Sequence, residues 1–177
     1  MQEPLNLHLA DHRHSLEIGW PLFGELCRVL ALRVAATFDP EIVVGIAKAG
    51  VIPGAVVASM LQRDFASMAV TREPGRVRPT LVTEPPPSVR GRRVLVVDET
   101  CDTGDTLELA LATVWRLSPS AVKTAVSIRT GDYRPDFSAL MTKNRVILPW
   151  DQDAALRIEG ELGGKSVAAV RGRGELV

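Results

Sequence analysis

The sequence predicts an α/β fold in which helices flank a mainly parallel sheet. Short β-branched runs, such as residues 42–47 and 93–97, alternate along the chain with stretches in which apolar residues recur every three or four positions. The strand runs are continuously apolar, which is typical of strands that are covered on both faces. The 177 residues, of which 46% are hydrophobic and 24% charged, suffice for one globular domain with an ordinary core, which we assign to residues 1–177.

The elements follow one another in an order that fits right-handed crossovers. Alternating apolar residues in 5–19 predict an edge hairpin, and helical spacing predicts a first helix over residues 20–37, which Asp39 and Pro40 terminate. The core is predicted over residues 41–128, with strand 42–47, helix 53–62, strands 67–71, 80–83 and 93–97, helix 104–117 and strand 122–128. We expect residues 160–177 to form a loose tail.

One predicted strand runs directly into a cluster of acids and hydroxyls. Asp98 and Glu99 follow the apolar residues 94–97, and residues 102–106 read Asp-Thr-Gly-Asp-Thr before a helix. Open α/β sheets bind ligands at this edge, and the free N–H groups of residues 103–106 would form an anion site at the helix start. Two acids beside an anion site fit a ligand that offers hydroxyls and a cation, such as a phosphorylated ribose with Mg²⁺.

The same motif also has a purely structural interpretation. Asp102 or Thr103 could cap the helix, while Asp98 and Glu99 would be charges at a strand end. Capping needs only one hydroxyl or carboxylate, which contributes about 1 kcal/mol. It does not require two acids, two threonines and a glycine within so short a stretch.

A second strand, turn and helix motif lies in residues 41–54, with Lys48 at its turn. Neither the Walker spacing nor Gly-x-Gly-x-x-Gly occurs there, which argues against P-loop NTPases and Rossmann dehydrogenases. Taken alone, Lys48 would be a solvated loop lysine. Its pairing with the downstream motif favours a role in binding an anion.

The run Val-Val-Asp-Glu-x-x-Asp-Thr-Gly-x-Thr at residues 96–106 resembles the 5-phosphoribosyl-1-pyrophosphate (PRPP) motif of the type I phosphoribosyltransferases. Its Asp-Thr-Gly core is most similar to the hypoxanthine-guanine and xanthine-guanine branch. The resemblance implies the fold of that family, with a small hood. It also implies transfer of the phosphoribosyl group from PRPP to a 6-oxopurine with Mg²⁺, a purine salvage reaction that gives a nucleoside monophosphate and pyrophosphate.

The resemblance also implies roles for the residues of both motifs. Asp98 and Glu99 would bind the ribose hydroxyls and Mg²⁺, and Asp102 would be the catalytic residue that faces N7 of the base. The 5′-phosphate would bind to Asp102, Thr103, Gly104, Asp105 and Thr106, and the pyrophosphate to Lys48, Ala49 and Gly50. In the family, the peptide before the second residue of the pyrophosphate loop is often cis; here that peptide precedes Ala49.

The interval from Arg72 to Arg92 is rich in proline and arginine. The resemblance places a flexible active-site loop at residues 71–80, which would close over the site and exclude water from a reactive ribose intermediate. The arginines at positions 72, 76, 78 and 90 could meet the leaving phosphates or could belong to a solvated loop. Both interpretations stay open.

The resemblance places a base-recognition hood at residues 129–151, together with the N-terminal segment. Residues 133–137 are similar to human-type hypoxanthine-guanine enzymes, and residues 147–151 to the Pro-Trp-Asp ending of bacterial xanthine-guanine enzymes. The candidate base-binding residues are Arg129, Arg145, Val146 and Trp150. Arg129 would donate to the purine 6-oxygen, Trp150 also fits a core position, and Asp151 would associate with magnesium.

Bulk composition limits the partners of the chain. Lys plus Arg equals Asp plus Glu at 21 each, so we expect neither a nucleic-acid nor a membrane partner. The first residues lack a signal-peptide pattern, so we expect a cytoplasmic protein with reduced cysteines. We also expect a homodimer or homotetramer. Two alternatives stay open: a PRPP-sensing or nucleic-acid-binding regulator on the same fold, and a transferase for a different base or amine.

Overall fold

The computed structural model describes residues 5–6, 15–72 and 78–151. Its α-helices are α1 (Trp20–Thr37), α2 (Val51–Leu61) and α3 (Asp105–Trp115), with a 3-10 helix at Pro87–Val89. Its strands are β1 (Leu5–Asn6), β2 (Ser15–Glu17), β3 (Ile42–Ala47), β4 (Asp64–Thr71), β5 (Thr80–Thr83), β6 (Arg93–Cys101), β7 (Ala121–Arg129), β8 (Phe137–Met141) and β9 (Arg145–Ile147).

A seven-stranded sheet with the order β1-β8-β7-β6-β3-β4-β5 forms the centre of the molecule. All neighbouring strands in it are parallel except β4 and β5, which are antiparallel. A separate pair, β2 with β9, is also parallel. The predicted α/β fold with a mainly parallel, helix-flanked sheet is therefore confirmed.

The core lies on both faces of this sheet. Helices α1 and α2 supply apolar side chains to one cluster, and α3 supplies them to the other. Because side chains alternate along a strand, Val43 and Leu95 belong to the first cluster and Val44 and Val94 to the second. Strands covered in this way are buried on both faces, which explains why residues 42–47 and 94–97 are continuously apolar.

Helix α2 packs closely on β3 because two glycines face each other. A Cβ built on Gly45 would lie 2.9 Å from the Val51 Cα, and one built on Gly54 would lie 3.1 Å from the Gly45 Cα. Real Cβ atoms need more room, so the close contact depends on glycine at both positions. It fixes the short turn of residues 48–50 between the strand end and the helix start.

The structure corrects several predicted elements. The N-terminal hairpin is wrong: Leu5 lies opposite Leu140 and Ser15 opposite Arg145, so β1 and β2 pair with distant strands and not with each other. Helix α2 starts two residues earlier than predicted, β4 starts three residues earlier, and β6 continues four residues further. Strands β8 and β9 were not predicted.

Part of the predicted loop 71–80 and the whole predicted tail 160–177 lie outside the described residues. Among the residues that are described, no helix has the length and apolar character needed to cross a membrane.

Candidate active site

The two sequence motifs meet at the carboxyl ends of neighbouring strands. Strands β3 and β6 pair in parallel with Gly45 opposite Val97, so the turn after β3 lies beside the acids of β6. Gly50 is buried against Asp98: a Cβ built on Gly50 would lie 2.6 Å from the Asp98 Oδ1 and 2.9 Å from its Cα. The predicted pyrophosphate loop and the predicted ribose site are therefore in direct contact.

The pyrophosphate loop itself is only partly enclosed. Lys48 is exposed, whereas Ala49 is partly buried and Gly50 is buried. The non-proline cis peptide joins Ala47 to Lys48, one residue earlier than the family pattern implied. Lys48 directly follows β3, at the carboxyl edge where open α/β sheets bind ligands.

Asp98 is a buried acid with only 7% of its surface exposed. Burial is the main cause that raises the pKa of its carboxyl well above the usual value, and the neighbouring Glu99 raises it further. The Glu99 backbone N–H donates to the Asp98 Oδ1 at 3.0 Å. A cation or a hydroxyl donor placed here would relieve the cost of the buried charge.

The turn before α3 leaves its backbone donors available. Gly104 is the residue before the helix, has a φ of 89° that favours glycine, and makes no side-chain capping bond. The Asp105 N–H, one of the donors predicted to be free, donates to the Thr103 hydroxyl at 3.5 Å, so Thr103 makes a long bond to the helix start. Amides of a first helical turn have no intrahelical acceptor, so those of Thr106 and Leu107 are available to an anion.

A cavity of about 180 Å³ opens over this turn. Its lining contains Asp98, the predicted phosphate residues and four neighbours: Arg72, Asp98, Thr100, Cys101, Asp102, Thr103, Gly104, Asp105, Thr106 and Leu107. The volume is smaller than the roughly 300–1,000 Å³ of a complete small-molecule pocket, so it accounts for one part of a ligand. A phosphate on a sugar fits a cavity with acids on one side and helix amides on the other.

Arg72 joins the cavity from the end of β4. Its guanidinium Nη2 lies 3.2 Å from the Asp105 Oδ2, and the two side chains are 51% and 42% exposed. The Thr103 hydroxyl donates to the same Asp105 oxygen at 2.7 Å. Asp105 thus places a negative charge beside the candidate phosphate site, and Arg72 balances it.

Cys101 lines the cavity but has the chemistry of a neutral thiol. Burial, followed by the nearby Asp98 and Asp102 carboxylates, raises the pKa of Cys101 to about 11. A thiol that stays protonated at neutral pH is a poor nucleophile. Cys101 is therefore a packing residue of the turn.

The predicted base-binding residues lie outside this cavity lining. Arg129 ends β7 directly opposite Cys101, and its Nη2 contacts the Met141 sulfur. Its buried Nε has no hydrogen-bond acceptor among the described residues. An unpaired buried donor is costly.

The other predicted hood residues also lie outside the cavity lining. Arg145 and Val146 lie in β9 opposite β2. Trp150 is only partly buried and contacts Phe23, with ring centroids 5.1 Å apart, which matches its interpretation as a core residue. The Asp151 Oδ2 accepts a hydrogen bond from the Leu148 backbone N–H at 3.2 Å, so its carboxylate closes a local turn.

Two contacts of the turn were not predicted as part of the site. Gly131 lies against Asp102, and the ring of Tyr133 lies against Gly104. The available signal was the Tyr-Arg-Pro-Asp-Phe segment at residues 133–137, which sequence analysis placed in the hood and not over the phosphate turn.

The donor groups fit magnesium that arrives with its ligand. Within the described ranges, no group of three or more His, Cys, Asp or Glu side chains is arranged to hold a metal ion. Asp98 and Glu99 are adjacent carboxylates, and Mg²⁺ prefers such oxygen donors while taking its other ligands from water and phosphates. The site therefore fits a phosphate-bound Mg²⁺ better than a closed protein cage.

Comparison with known families identifies one match. A family model described as "Phosphoribosyl transferase domain" matches residues 19–153, which include both motifs and most of the described chain. No curated protein matches the sequence.

Several solved structures are similar to this chain. A purine phosphoribosyltransferase from Pyrococcus horikoshii has a TM-score of 0.69 and 22% identity, and the match covers 77% of this chain and 93% of that one. A xanthine-guanine-hypoxanthine phosphoribosyltransferase from Helicobacter pylori has a TM-score of 0.69 and 18% identity, over 82% and 99% of the two chains. A Neisseria gonorrhoeae protein with bound ppGpp has a TM-score of 0.61 and 20% identity, over 84% and 97%. At these identities the likeness establishes the fold alone.

Proposed function

The chain belongs to the phosphoribosyl transferase domain family, whose members are PRPP-dependent glycosyltransferases, and from this we propose that it transfers the 5-phosphoribosyl group of PRPP to a 6-oxopurine. The products would be a nucleoside monophosphate and pyrophosphate. The contact between Gly50 and Asp98 carries this proposal, because it brings a pyrophosphate loop, a ribose site and a phosphate turn to one sheet edge.

Each part of PRPP has a matching group in the site. The 5′-phosphate would bind the turn Asp102–Thr106, where helix amides and Arg72 face the cavity. The ribose hydroxyls would bind Asp98 and Glu99, and the pyrophosphate would lie at the loop Lys48–Gly50. The negative charges of PRPP would then face two backbone sites, the phosphate turn and the pyrophosphate loop. They would also face two cationic side chains, those of Arg72 and Lys48.

The reaction exchanges one bond at C1′ of the ribose. A ring nitrogen of the base forms the new C–N bond as the C–O bond to pyrophosphate breaks, and the base loses a proton. Asp102 would accept that proton, or hold it by a hydrogen bond at N7, as a general base. Mg²⁺, when bound, would supply positive charge to the pyrophosphate oxygens, with Asp98 and Glu99 as its carboxylates and Asp151 as a further candidate.

Arg129 is the residue that would recognise the base. Its unpaired Nε lies at the carboxyl end of β7, beside Cys101 of the cavity lining. A cationic donor fits the 6-oxygen of hypoxanthine, guanine or xanthine. Adenine carries an amino group at this position, so the arginine N–H and the adenine N–H would both lack an acceptor. We expect 6-oxopurines to react at least about 100-fold faster than adenine.

The decisive experiment is a panel of nucleobases with PRPP and Mg²⁺, measured by release of pyrophosphate. We expect turnover with at least one 6-oxopurine and none above background with adenine. Arg129→Ala should remove this preference, while Arg134→Ala, which changes an exposed arginine nearby, should keep it. Equal rates with adenine and hypoxanthine would contradict the role of Arg129, and no turnover with any base would contradict the proposed reaction.

The proposal retains the cytoplasmic location, where purine salvage takes place, and the homodimer or homotetramer expected from the sequence. Light scattering of the purified protein would determine the oligomeric state.

A further inference from the structure

We propose that residues 130–133, which we name the clamp segment, position the Asp102 carboxylate for its proton exchange with the base. The inference depends on the proposed role of Asp102 and adds residues that do not themselves contact a ligand. Its evidence is a set of contacts between the clamp segment and residues 101–104 of the phosphate turn.

The first contacts fix the residue before Asp102. The Thr130 backbone N–H donates to the Cys101 carbonyl at 2.9 Å, and the Gly131 N–H donates to the same oxygen at 3.4 Å. The Thr130 hydroxyl also donates to it, at 3.3 Å. Three donors on one carbonyl hold the start of the turn at the end of β7.

The second contact touches Asp102 itself. A Cβ built on Gly131 would collide with both the carbonyl oxygen and the carboxylate Oδ1 of Asp102. Asp102 is exposed, so burial in the core does not hold its carboxylate in place. Any side chain at position 131 would push the carboxylate or the turn out of its present position.

The third contact covers the other end of the turn. The Tyr133 ring occupies the space that a Cβ on Gly104 would need, and Gly104 has a φ of 89°. The clamp segment therefore contacts Cys101 before Asp102 and Gly104 after it. A catalytic group must be held near its productive geometry, and a displacement of about 1 Å can cost roughly 100-fold in rate.

The test uses Gly131→Ala, with Gly24→Ala as the matched control because a Cβ on Gly24 meets nothing within 4 Å. We expect Gly131→Ala to lower kcat at least about tenfold and to lower PRPP affinity, measured by thermal shift with Mg²⁺, by a smaller factor, because the new Cβ also meets the backbone of the phosphate turn. Gly24→Ala should leave both unchanged. An unchanged kcat in Gly131→Ala would overturn the inference.

A double-mutant cycle separates positioning from a general structural effect. If the clamp segment acts through Asp102, Gly131→Ala should cause no further loss of kcat in the Asp102→Asn background. Equal losses in both backgrounds would overturn the clamp alone. An Asp102→Asn variant with unaltered kcat would overturn the proposed role of Asp102, and the clamp with it.

Thr130→Val covers the case in which Gly131→Ala does not fold. This change keeps the side-chain volume and removes only the hydroxyl bond to the Cys101 carbonyl. We expect a severalfold lower kcat that disappears in the Asp102→Asn background, at unchanged PRPP affinity. A kcat equal to that of the unmodified protein would then overturn the inference.

Discussion

Asp98 is the residue at which the needs of folding and of binding conflict most. Its carboxyl is buried beside Glu99, and this raises its pKa well above the ordinary value of 3.8. The folded state therefore holds this proton more tightly than the unfolded chain. As a result, stability falls as the pH rises from the unfolded-state pKa of Asp98 to its folded-state pKa. The empty site therefore bears a cost at neutral pH that a bound ligand would remove.

We predict that Asp98→Asn stabilises the protein in the absence of PRPP and Mg²⁺ but abolishes their binding. The asparagine amide has nearly the same volume as the carboxyl group, and its oxygen can still accept the hydrogen bond from the Glu99 N–H. It carries no charge that must be buried. The gain in Tm over the unmodified protein should be largest at neutral pH and shrink as the pH falls towards 3.8. Thermal denaturation across pH measures both effects.

Asp64→Asn is the control, because it makes the same change at a carboxylate that is 70% exposed and pairs only at the surface with Arg92. It should not raise the Tm. An Asp98→Asn variant that is less stable than the unmodified protein at neutral pH would show that the charge of Asp98 stabilises the fold.

Arg72→Gln should weaken PRPP binding without weakening the fold. The pair with Asp105 is about half exposed and should contribute roughly 0–1 kcal/mol, so the Tm should fall by less than about 4 °C. A charged hydrogen bond to phosphate contributes about 1.5–3 kcal/mol, so the Kd for PRPP should rise roughly 10- to 100-fold.

Titration calorimetry with PRPP and Mg²⁺ measures this change, and Arg28→Gln serves as control because it breaks an equally exposed pair, with Glu25 on α1. If Arg72→Gln binds PRPP as tightly as the control, Arg72 neutralises Asp105 and does not contact the phosphate.

Asp136 connects the starts of two strands. Its carboxylate accepts hydrogen bonds from the Lys123 Nζ at 2.7 Å and from the Thr124 N–H and hydroxyl at 2.8 and 2.9 Å. Burial alone would raise the pKa of Asp136, but these donors outweigh burial and lower it. The stability that Asp136 contributes is therefore present above pH 3.8 and is lost as the pH falls through its folded-state pKa.

We predict that Asp136→Asn lowers the free energy of unfolding by about 1 kcal/mol at pH 7, or about 2–4 °C in Tm. This difference should shrink as the pH falls below 3.8 and disappear below the lowered folded-state pKa of Asp136. Asp132→Asn is the matched control, since Asp132 also pairs with a lysine, at 2.8 Å, but is fully exposed. It should have no measurable effect. Equal losses in both variants would mean that the bonds to Thr124 contribute nothing.

At the level of elements, the sequence predicted the helices and strands whose patterns are set by residues close together in the chain. Strand β3 and the first part of β6 were predictable because residues 42–47 and 94–97 are unbroken apolar runs. The partners of β1 and β2 were not, because Leu5 and Ser15 meet Leu140 and Arg145, and local alternation carries no information about so distant a partner. The N-terminal segment therefore looked like a hairpin.

The same distinction holds for the candidate site. Asp98 and residues 102–106 line one cavity and were found together because they form one contiguous motif. Gly131 and Tyr133 reach the turn only because the chain folds back after β7. Their contacts depend on tertiary structure, and sequence spacing gives no direct sign of them.

The whole molecule should respond to PRPP as one cooperative unit. Because the ligand would contact the ends of both β3 and β6, which are central strands of the sheet, binding should raise the global free energy of unfolding. At 100 times the Kd the gain should be roughly 2.7 kcal/mol, or about 5–10 °C in Tm. Thermal scans with PRPP and Mg²⁺ together, against Mg²⁺ alone, measure it. An unchanged Tm at saturating PRPP would contradict the site assignment, whichever base is used.

The pairing of β3 with β6 also has a kinetic consequence. The two halves of the site come from distant parts of the chain, with β4 and β5 between them, and meet only when this parallel pair has formed. Contacts between distant residues form slowly, and the cavity does not exist before them. PRPP should therefore leave the folding rate unchanged and lower the unfolding rate. The added stability of the PRPP-bound protein would then come from a longer lifetime of its native state.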